Sequence, residues 1–293
     1  MVKRLLTGLI GFPIVILVFI FANKYIIDVL AAAVACIAIH EYFKVVTKEV
    51  KDLSWIGYTL ALGIAFIHMV NTKIALASLA ILFPTVLMIL FLHIIISNMK
   101  ITFKDIAFAG FGICYVISLI MFIPLIYGIG DTTTLKFLNE PSFADQVVAT
   151  FQNTMVSGKY LVWYVIWAAW GCDTFAYLVG MAIGKHHFSK VSPKKSIEGC
   201  IGGVFGAVLF SVIYTIVINN VCGFNVGYLP IVLMAIVLSI IGQIGDFAAS
   251  TIKRYFEVKD YSNLFPGHGG MLDRIDSLMF IAPFAFCFMA FIL

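Results

Sequence analysis

The sequence predicts an all-α polytopic membrane protein with about nine transmembrane helices. Three observations lead there. Of 293 residues, 62% are hydrophobic and 12% charged, with a mean hydropathy of +1.06, which is more apolar than one water-soluble core can hide. The apolar residues come in uncharged runs close to the ~20 residues that a helix needs to cross a bilayer. The basic residues collect in alternate connections, the asymmetry that marks a cytoplasmic face.

In chain order, Leu5–Ala22 is the first run, and its Ala22-Asn23-Lys24 exit lacks a small-x-small cleavage pattern, so it reads as a retained helix. A shorter run, Tyr25–His40, follows, with His40-Glu41 marking a membrane boundary or lining an entrance. Leu53–Val70, Ile74–Asn98 and Ile106–Gly130 are each expected to cross as one straight or tilted helix. His68 and His93 within them read as neutral packing or hydrogen-bonding residues, since neither has a second ligand at metal spacing. The Thr-, Asn-, Pro- and Gln-containing stretch from Asp131 to Lys159 reads as an external solvated loop. Tyr160–Gly184, Ile201–Ile218, Tyr228–Ser250 and Leu278–Leu293 complete the nine. With the N-terminus cytoplasmic and the C-terminus external, only Lys24, Lys73, Lys136 and Lys159 of the 19 basic residues fall outside.

Six cysteines stand singly at 36, 114, 172, 200, 222 and 287, mostly in apolar runs, and read as reduced thiols rather than a disulfide framework. The net charge of +4 is placed on one side. That fits anionic lipid headgroups and a phosphorylated cytoplasmic substrate better than nucleic acid.

Two apolar runs in the C-terminal half each contain a single acid. Between Gly199 and Ile252 it is Asp246, and Lys253 and Arg254 follow directly on the end of that run; between Tyr160 and Gly184 it is Asp173. A carboxylate in or near hydrocarbon is costly without water, a cation or a metal, so both are prospective functional groups. On a helix, Asp246, Ser250 and Lys253 share a face, as do Asp173 and Tyr177. A helix-end salt bridge and an Asp–Tyr hydrogen bond are the structural alternatives. Downstream stand Lys259-Asp260, Pro266-Gly267-His268-Gly269-Gly270 and Asp273-Arg274-Ile275-Asp276. These glycines permit positive φ or close backbone approach, and Asp273 and Asp276 share a helix face. Their most useful common ligand is a divalent cation on phosphate oxygens; hard carboxylates suit Mg²⁺, and His268 alone makes no zinc site. A solvated turn capped by Asp273 is the plainer alternative.

The connection before Gly199 adds Lys185, Lys190, Lys194 and Lys195, with Ser192, Ser196 and Glu198. Lysines bind successive phosphates as mobile point charges, or make a basic surface facing lipid. Gly202 and Gly203 allow close helix or ligand packing. Glu198 either orients a lysine or adds to metal solvation.

Ser250-Thr251-Ile252-Lys253-Arg254, then Lys259-Asp260 after four residues, then Pro266 to Asp276 resemble the signature of the phosphatidate cytidylyltransferase family, also called CDP-diacylglycerol synthases. The similarity extends through Asp173 with Ala176-Tyr177, Ser192-Pro193-Lys194-Lys195-Ser196 with Glu198-Gly199, and Gly245-Asp246, covering roughly residues 160–280. Ala249 stands where related bacterial enzymes commonly carry Glu, and Ser196 where Thr is common.

The basic-residue topology puts the polar active-site cavity on the cytoplasmic face, and the chain divides descriptively into an N-terminal membrane-helical region with its external connection (1–159) and a C-terminal catalytic region (160–293). The implied reaction takes phosphatidate and CTP to CDP-diacylglycerol and pyrophosphate with Mg²⁺. Asp246, Asp273, Asp173 and Lys253 are the implied catalytic residues, and Asp246, Asp273 and Asp276 the metal ligands. Lys194, Lys195, Arg254, Lys259 and Arg274 would contact substrate phosphates, while Tyr177, Ser250, His268, Gly269 and Gly270 shape the site. The expected setting is the lipid bilayer of a bacterial inner membrane, with a homodimer left open and no nucleic-acid partner. A lipid or anion transporter, and an enzyme moving a phospho-alcohol onto a preformed CDP-lipid, are the competing readings. The first releases no pyrophosphate, and the second releases CMP instead.

Overall fold

The computed structural model describes residues 13–97, 100–129, 156–187, 192–193 and 195–292, without side chains at 72–73 and 290–292. Among these residues the structure is helical and contains no strand, only two isolated bridges. The helical stretch 13–21 is followed by α1 (Lys24–Val46), α2 (Ser54–Val70), α3 (Thr72–Ala80), α4 (Leu82–Ile96) and α5 (Phe103–Ile120). After them come α6 (Phe122–Tyr127), α7 (Gly158–Ile183), α8 (Ile197–Cys222), α9 (Tyr228–Tyr255) and α10 (Leu272–Ile292).

Among the described residues, five helical segments are long and apolar enough to cross a membrane: α1, the α5–α6 pair taken as Phe103–Tyr127, α7, α8 and α9. The bent α3–α4 pair makes a sixth, and α2 is a shorter apolar helix. Residues 5–12 of the expected Leu5–Ala22 span lie outside the described residues, and 13–21 are helical. Side chains such as Ile95, Met181, Val221 and Leu229 are each at least two-thirds exposed, an apolar surface that a bilayer would cover. The protein is therefore an integral membrane protein.

Ile74–Asn98 is not one straight helix. It breaks at Ile81, where α3 and α4 meet at 59°. Pro84 supplies the reason: its ring removes an N–H and clashes with the carbonyl four residues back, at Ala80, the last residue of α3. The same relation recurs at Met121, between α5 and α6, where Pro124 lies four residues after Ile120.

The chain divides into two compact units, Met1–Leu125 with Tyr255–Ile275, and Ile126–Arg254 with Asp276–Leu293. In the first, the Asn23 side chain caps α1 by accepting from Ile26 N at 2.9 Å. Tyr42 then passes from α1 over α5, where Gly112 leaves room for its ring; a Cβ there would lie 2.0 Å from Cε1. The Tyr42 hydroxyl donates to the Phe108 carbonyl at 3.0 Å. Thr102 and Asp105 form a capping box at the start of α5, and Asp105 also accepts from Lys51 N at 2.8 Å. His68 pairs with buried Asp28, and His93 lies edge-on to Trp55, so both histidines serve packing and hydrogen bonding as expected.

In the second unit, α7 and α8 pack backbone to backbone. A Cβ on Gly206 would lie 2.4 Å from the Gly171 carbonyl, and one on Gly203 would lie 3.0 Å from the Cys172 carbonyl. Gly202 and Gly203 thus serve helix packing, with Val179 against the former. The Ser196 hydroxyl caps α8 by accepting from Gly199 N at 3.1 Å, so Ser at this position fills the N-cap role that Thr also performs. All six cysteines are free, as the sequence predicts.

Candidate active site

The second unit gathers one acidic and basic cluster. Asp246, about two and a half turns before the end of α9, pairs with Lys195. The Lys195 ammonium also lies 4.3 Å from the centroid of the Phe247 ring, a cation–π position. Ser250 Oγ donates to Asp246 Oδ1 at 3.5 Å, the one-turn relation that their spacing predicts. Asp276, 7% exposed, feels the charges of Asp246, Lys253 and Asp173. Gly245 makes this approach possible: a Cβ there would sit 2.8 Å from the Asp276 carbonyl.

Gln243 sets the register of this helix face. Its amide donates to the Cys200 carbonyl at 3.1 Å and to Cys172 Sγ at 3.4 Å, tying α9 to α8 and α7. It stands three residues before Asp246, and Cys172 immediately precedes Asp173, so one side chain aligns both acids. Sequence reasoning passed over Gln243, although an amide in an otherwise apolar run was a readable signal.

Lys195 is held by its own loop. Its N–H donates to the Ser192 carbonyl at 3.1 Å, and its carbonyl lies 3.3 Å from His187 Nδ1. Glu198 pairs with the His186 ring and accepts from the backbone N–H groups of Lys185 and His186 at 3.2 and 3.3 Å. Its role is thus to order the connection ahead of α8. Lys194 lies outside the described residues. Asp173 is exposed, Tyr177 is 67% exposed, and Arg254 is exposed beside half-buried Lys253. Ala249 is fully buried, so the carboxylate common at this position in related enzymes would enter packed surroundings here.

The first unit holds the glycine-rich segment. Gly267 and Gly269 have φ of 79° and 81°, the left-handed region that glycine enters without strain. Phe265 N donates to the Gly269 carbonyl at 2.9 Å, closing the turn, and His268 Nδ1 is buried without a hydrogen-bond partner. Asp273, 7% exposed, accepts on one oxygen from both Tyr261 N and Gly270 N at 2.9 Å. In this unit its carboxylate orders the loop, which matches the capping alternative and still leaves a ligand role to be tested. Lys259 and Arg274 are exposed, where phosphates can reach them.

Glu41 is the residue that sequence reasoning missed here. Expected to mark a membrane boundary or to line an entrance, it is 2% exposed and accepts from Ser262 Oγ at 2.6 Å, Met271 N at 2.9 Å and Leu272 N at 2.8 Å. Two of those donors are backbone groups at the start of α10, which have no partner within the helix. Gly270 lets Glu41 in, because a Cβ there would lie 2.5 Å from Oε2.

Among the described residues, no three His, Cys, Asp or Glu side chains are gathered as a ready metal cage. Mg²⁺ does not need one, since it commonly takes one or two carboxylates and completes its shell with water and substrate phosphates. The oxygen-only donors of the Asp246 cluster fit that mode.

A family model described as the cytidylyltransferase family matches residues 2–292. The phosphatidate cytidylyltransferase of Staphylococcus saprophyticus subsp. saprophyticus is 31% identical over 288 residues, covering 96% of this chain and 95% of that protein. The Bacillus subtilis (strain 168) protein of the same name is 27% identical over 297 residues, covering 99% and 98%. The Staphylococcus haemolyticus one is 39% identical over 134 residues, 45% of this chain, and that match spans half the length of the relative. With the match running through both units and through every segment that carries the acidic, basic and glycine-rich residues described above, the chain belongs to the cytidylyltransferase family.

Proposed function

We propose that this protein transfers the cytidylyl group of CTP to phosphatidate, producing CDP-diacylglycerol and pyrophosphate in phospholipid biosynthesis. The observation that carries this reading is the end-to-end similarity to proteins named phosphatidate cytidylyltransferase. A phosphate oxygen of phosphatidate attacks the α-phosphorus of CTP, a new P–O bond forms, and the bond to the bridging oxygen of the β-phosphate breaks. Pyrophosphate leaves with that electron pair. No protein nucleophile is needed, so the chain's task is to bring two anions together and to offset charge on the leaving group.

Lys195 suits that task. Its pairing with Asp246 keeps an ammonium at the acidic cluster, from which it can pass to an arriving triphosphate. Lys194, Lys253, Arg254, Lys259 and Arg274 are the further phosphate contacts in this reading. Asp246 and Asp276 would hold Mg²⁺, which when bound neutralises phosphate oxygens and stabilises the departing pyrophosphate. The resemblance also gives Asp273 a metal role, in addition to its hold on the Gly270 loop. Ser250 and His268 orient rather than attack.

Purified full-length protein given phosphatidate, CTP and Mg²⁺ should form CDP-diacylglycerol and pyrophosphate in equal amounts. Pyrophosphate formed without phosphatidate, or CMP as the product, would remove this assignment. Absence of turnover across a broad Mg²⁺ titration of folded protein would do the same.

The proposed topology has about nine spans, a cytoplasmic N-terminus, an external C-terminus and a cytoplasm-facing cavity in a bacterial inner membrane. Its support is the one-sided distribution of lysine and arginine. Cysteines introduced at Ser192 and Pro266 in an otherwise cysteine-free active variant should both label from the cytoplasmic side of sealed vesicles. Labelling of the two from opposite sides would break the topology.

A further inference from the structure

A cleft of about 700 Å³ lies within the first unit, between α1, α2 and the stretch around Asn263. Clefts of ~300–1,000 Å³ are the size that holds small-molecule ligands. The lining changes character along α1: Cys36 and Ile37 come first, then His40, and then Lys44 in the last turn. These residues recur at three- and four-residue spacing, and at ~1.5 Å per residue Ile37 and Lys44 are about 10 Å apart along the axis. The α1 side of the cleft therefore runs from an apolar end to a cationic one, and Leu264 adds a second apolar side chain to the lining.

The remaining polar groups support the same division. Tyr58 from α2 places its hydroxyl 3.3 Å from His40 Nδ1, and Asn263 adds an exposed amide. The acid on the wall, Glu41, already accepts three hydrogen bonds from Ser262, Met271 and Leu272, so its oxygens are engaged by neutral donors. Moreover, α1 is one of the membrane-length helices, and Lys44 stands in its final turn, where hydrocarbon gives way to headgroups. A soluble anion would have no use for the apolar half.

We propose that this cleft binds the headgroup and upper acyl chain of an anionic glycerophospholipid with a terminal phosphate. Lys44 and His40 contact the phosphate, Tyr58 and Asn263 the glycerol and ester oxygens, and Ile37 and Leu264 the first acyl carbons. Naming phosphatidate as that lipid rests on the activity proposed above; the cleft itself does not.

The test uses the full chain in lipid nanodiscs, comparing the unsubstituted protein with Lys44→Ala, Lys44→Arg and His40→Ala/Lys44→Ala. Photoactivatable phosphatidate should crosslink to the segment from Cys36 to Tyr58, and Lys44→Ala should reduce that crosslinking. The KM for phosphatidate should rise roughly tenfold in Lys44→Ala, the scale of one lost charge-assisted hydrogen bond. Lys44→Arg should recover most of the loss, while the KM for CTP stays unchanged. Lys44 is exposed, so its truncation leaves no buried gap. An unsubstituted protein that crosslinks at this segment but makes no CDP-diacylglycerol would sink the activity and leave the cleft standing. An active protein whose crosslinking and phosphatidate KM are the same in all variants would sink the cleft, as would an equal rise in both KM values. Inorganic phosphate that competes as well as short-chain phosphatidate would replace the lipid with a free anion and overturn the proposal.

Discussion

Asp246→Asn is expected to reduce turnover by on the order of 10²-fold or more, while leaving the protein folded and inserted. The amide matches the carboxylate in shape and still accepts from Ser250, which approaches at 3.5 Å. What disappears is the charge. Lys195 loses its anionic partner, and Asp276 loses one of the two carboxylates that act on it. Because like charges are being relieved beside a buried acid, thermal stability should hold or increase slightly even as activity falls. Initial rates measured across Mg²⁺ concentrations, together with a detergent melting curve, make the comparison. A rate within about threefold of the unsubstituted protein, too small a change for loss of a metal ligand, would remove Asp246 from the reaction.

Glu41→Ala should be nearly as damaging, although Glu41 stands outside the recognised signature. The substitution strips the acceptor from the Ser262 hydroxyl and from the Met271 and Leu272 N–H groups, two of which open α10. Hydrogen bonds to a charged group contribute roughly 1.5–3 kcal/mol each, with water recovering part where it can enter. The glycine-rich loop should therefore loosen, with turnover falling more than about tenfold, the equivalent of ~1.4 kcal/mol. Glu41→Gln should be intermediate, since the amide keeps one acceptor oxygen but turns donors toward donors. Amide exchange across residues 262–275 and turnover of the same preparations provide the readout. Unaltered protection together with unaltered turnover would show that the loop holds itself.

The contrast between Asp246 and Glu41 shows which parts of the site were legible. Asp246 was visible because it is the one charge in a long apolar run, and its relation to Ser250 is local helix geometry. Glu41 carried the same kind of signal, an acid at a membrane-length helix, yet its partners lie 221 to 231 residues away. No spacing rule reaches that far. Gln243 was overlooked for a similar reason, as its partners are on other helices and its own helix shows only an isolated amide. Asp273 was found, but its bonds to Tyr261 and Gly270 show a carboxylate spent partly on holding the loop, which periodicity does not distinguish from one facing a ligand.

The sequence by itself determined the class of the protein. Hydropathy and the scarcity of charge are properties of short stretches, and in hydrocarbon a helix satisfies its own backbone, so apolar runs of this length have one economical outcome. Caps, proline positions and the basic asymmetry are equally local, and the breaks at Ile81 and Met121 follow from Pro84 and Pro124 once that rule is applied. Only the tertiary structure decided which distant groups meet. The Lys195–Asp246 pair, the Tyr42 ring over Gly112, the backbone contact of Gly171 with Gly206 and the three bonds to Glu41 all join residues far apart in the chain. Such contacts depend on how helices pack, and packing is settled by shape across many residues at once, whereas hydropathy is settled residue by residue.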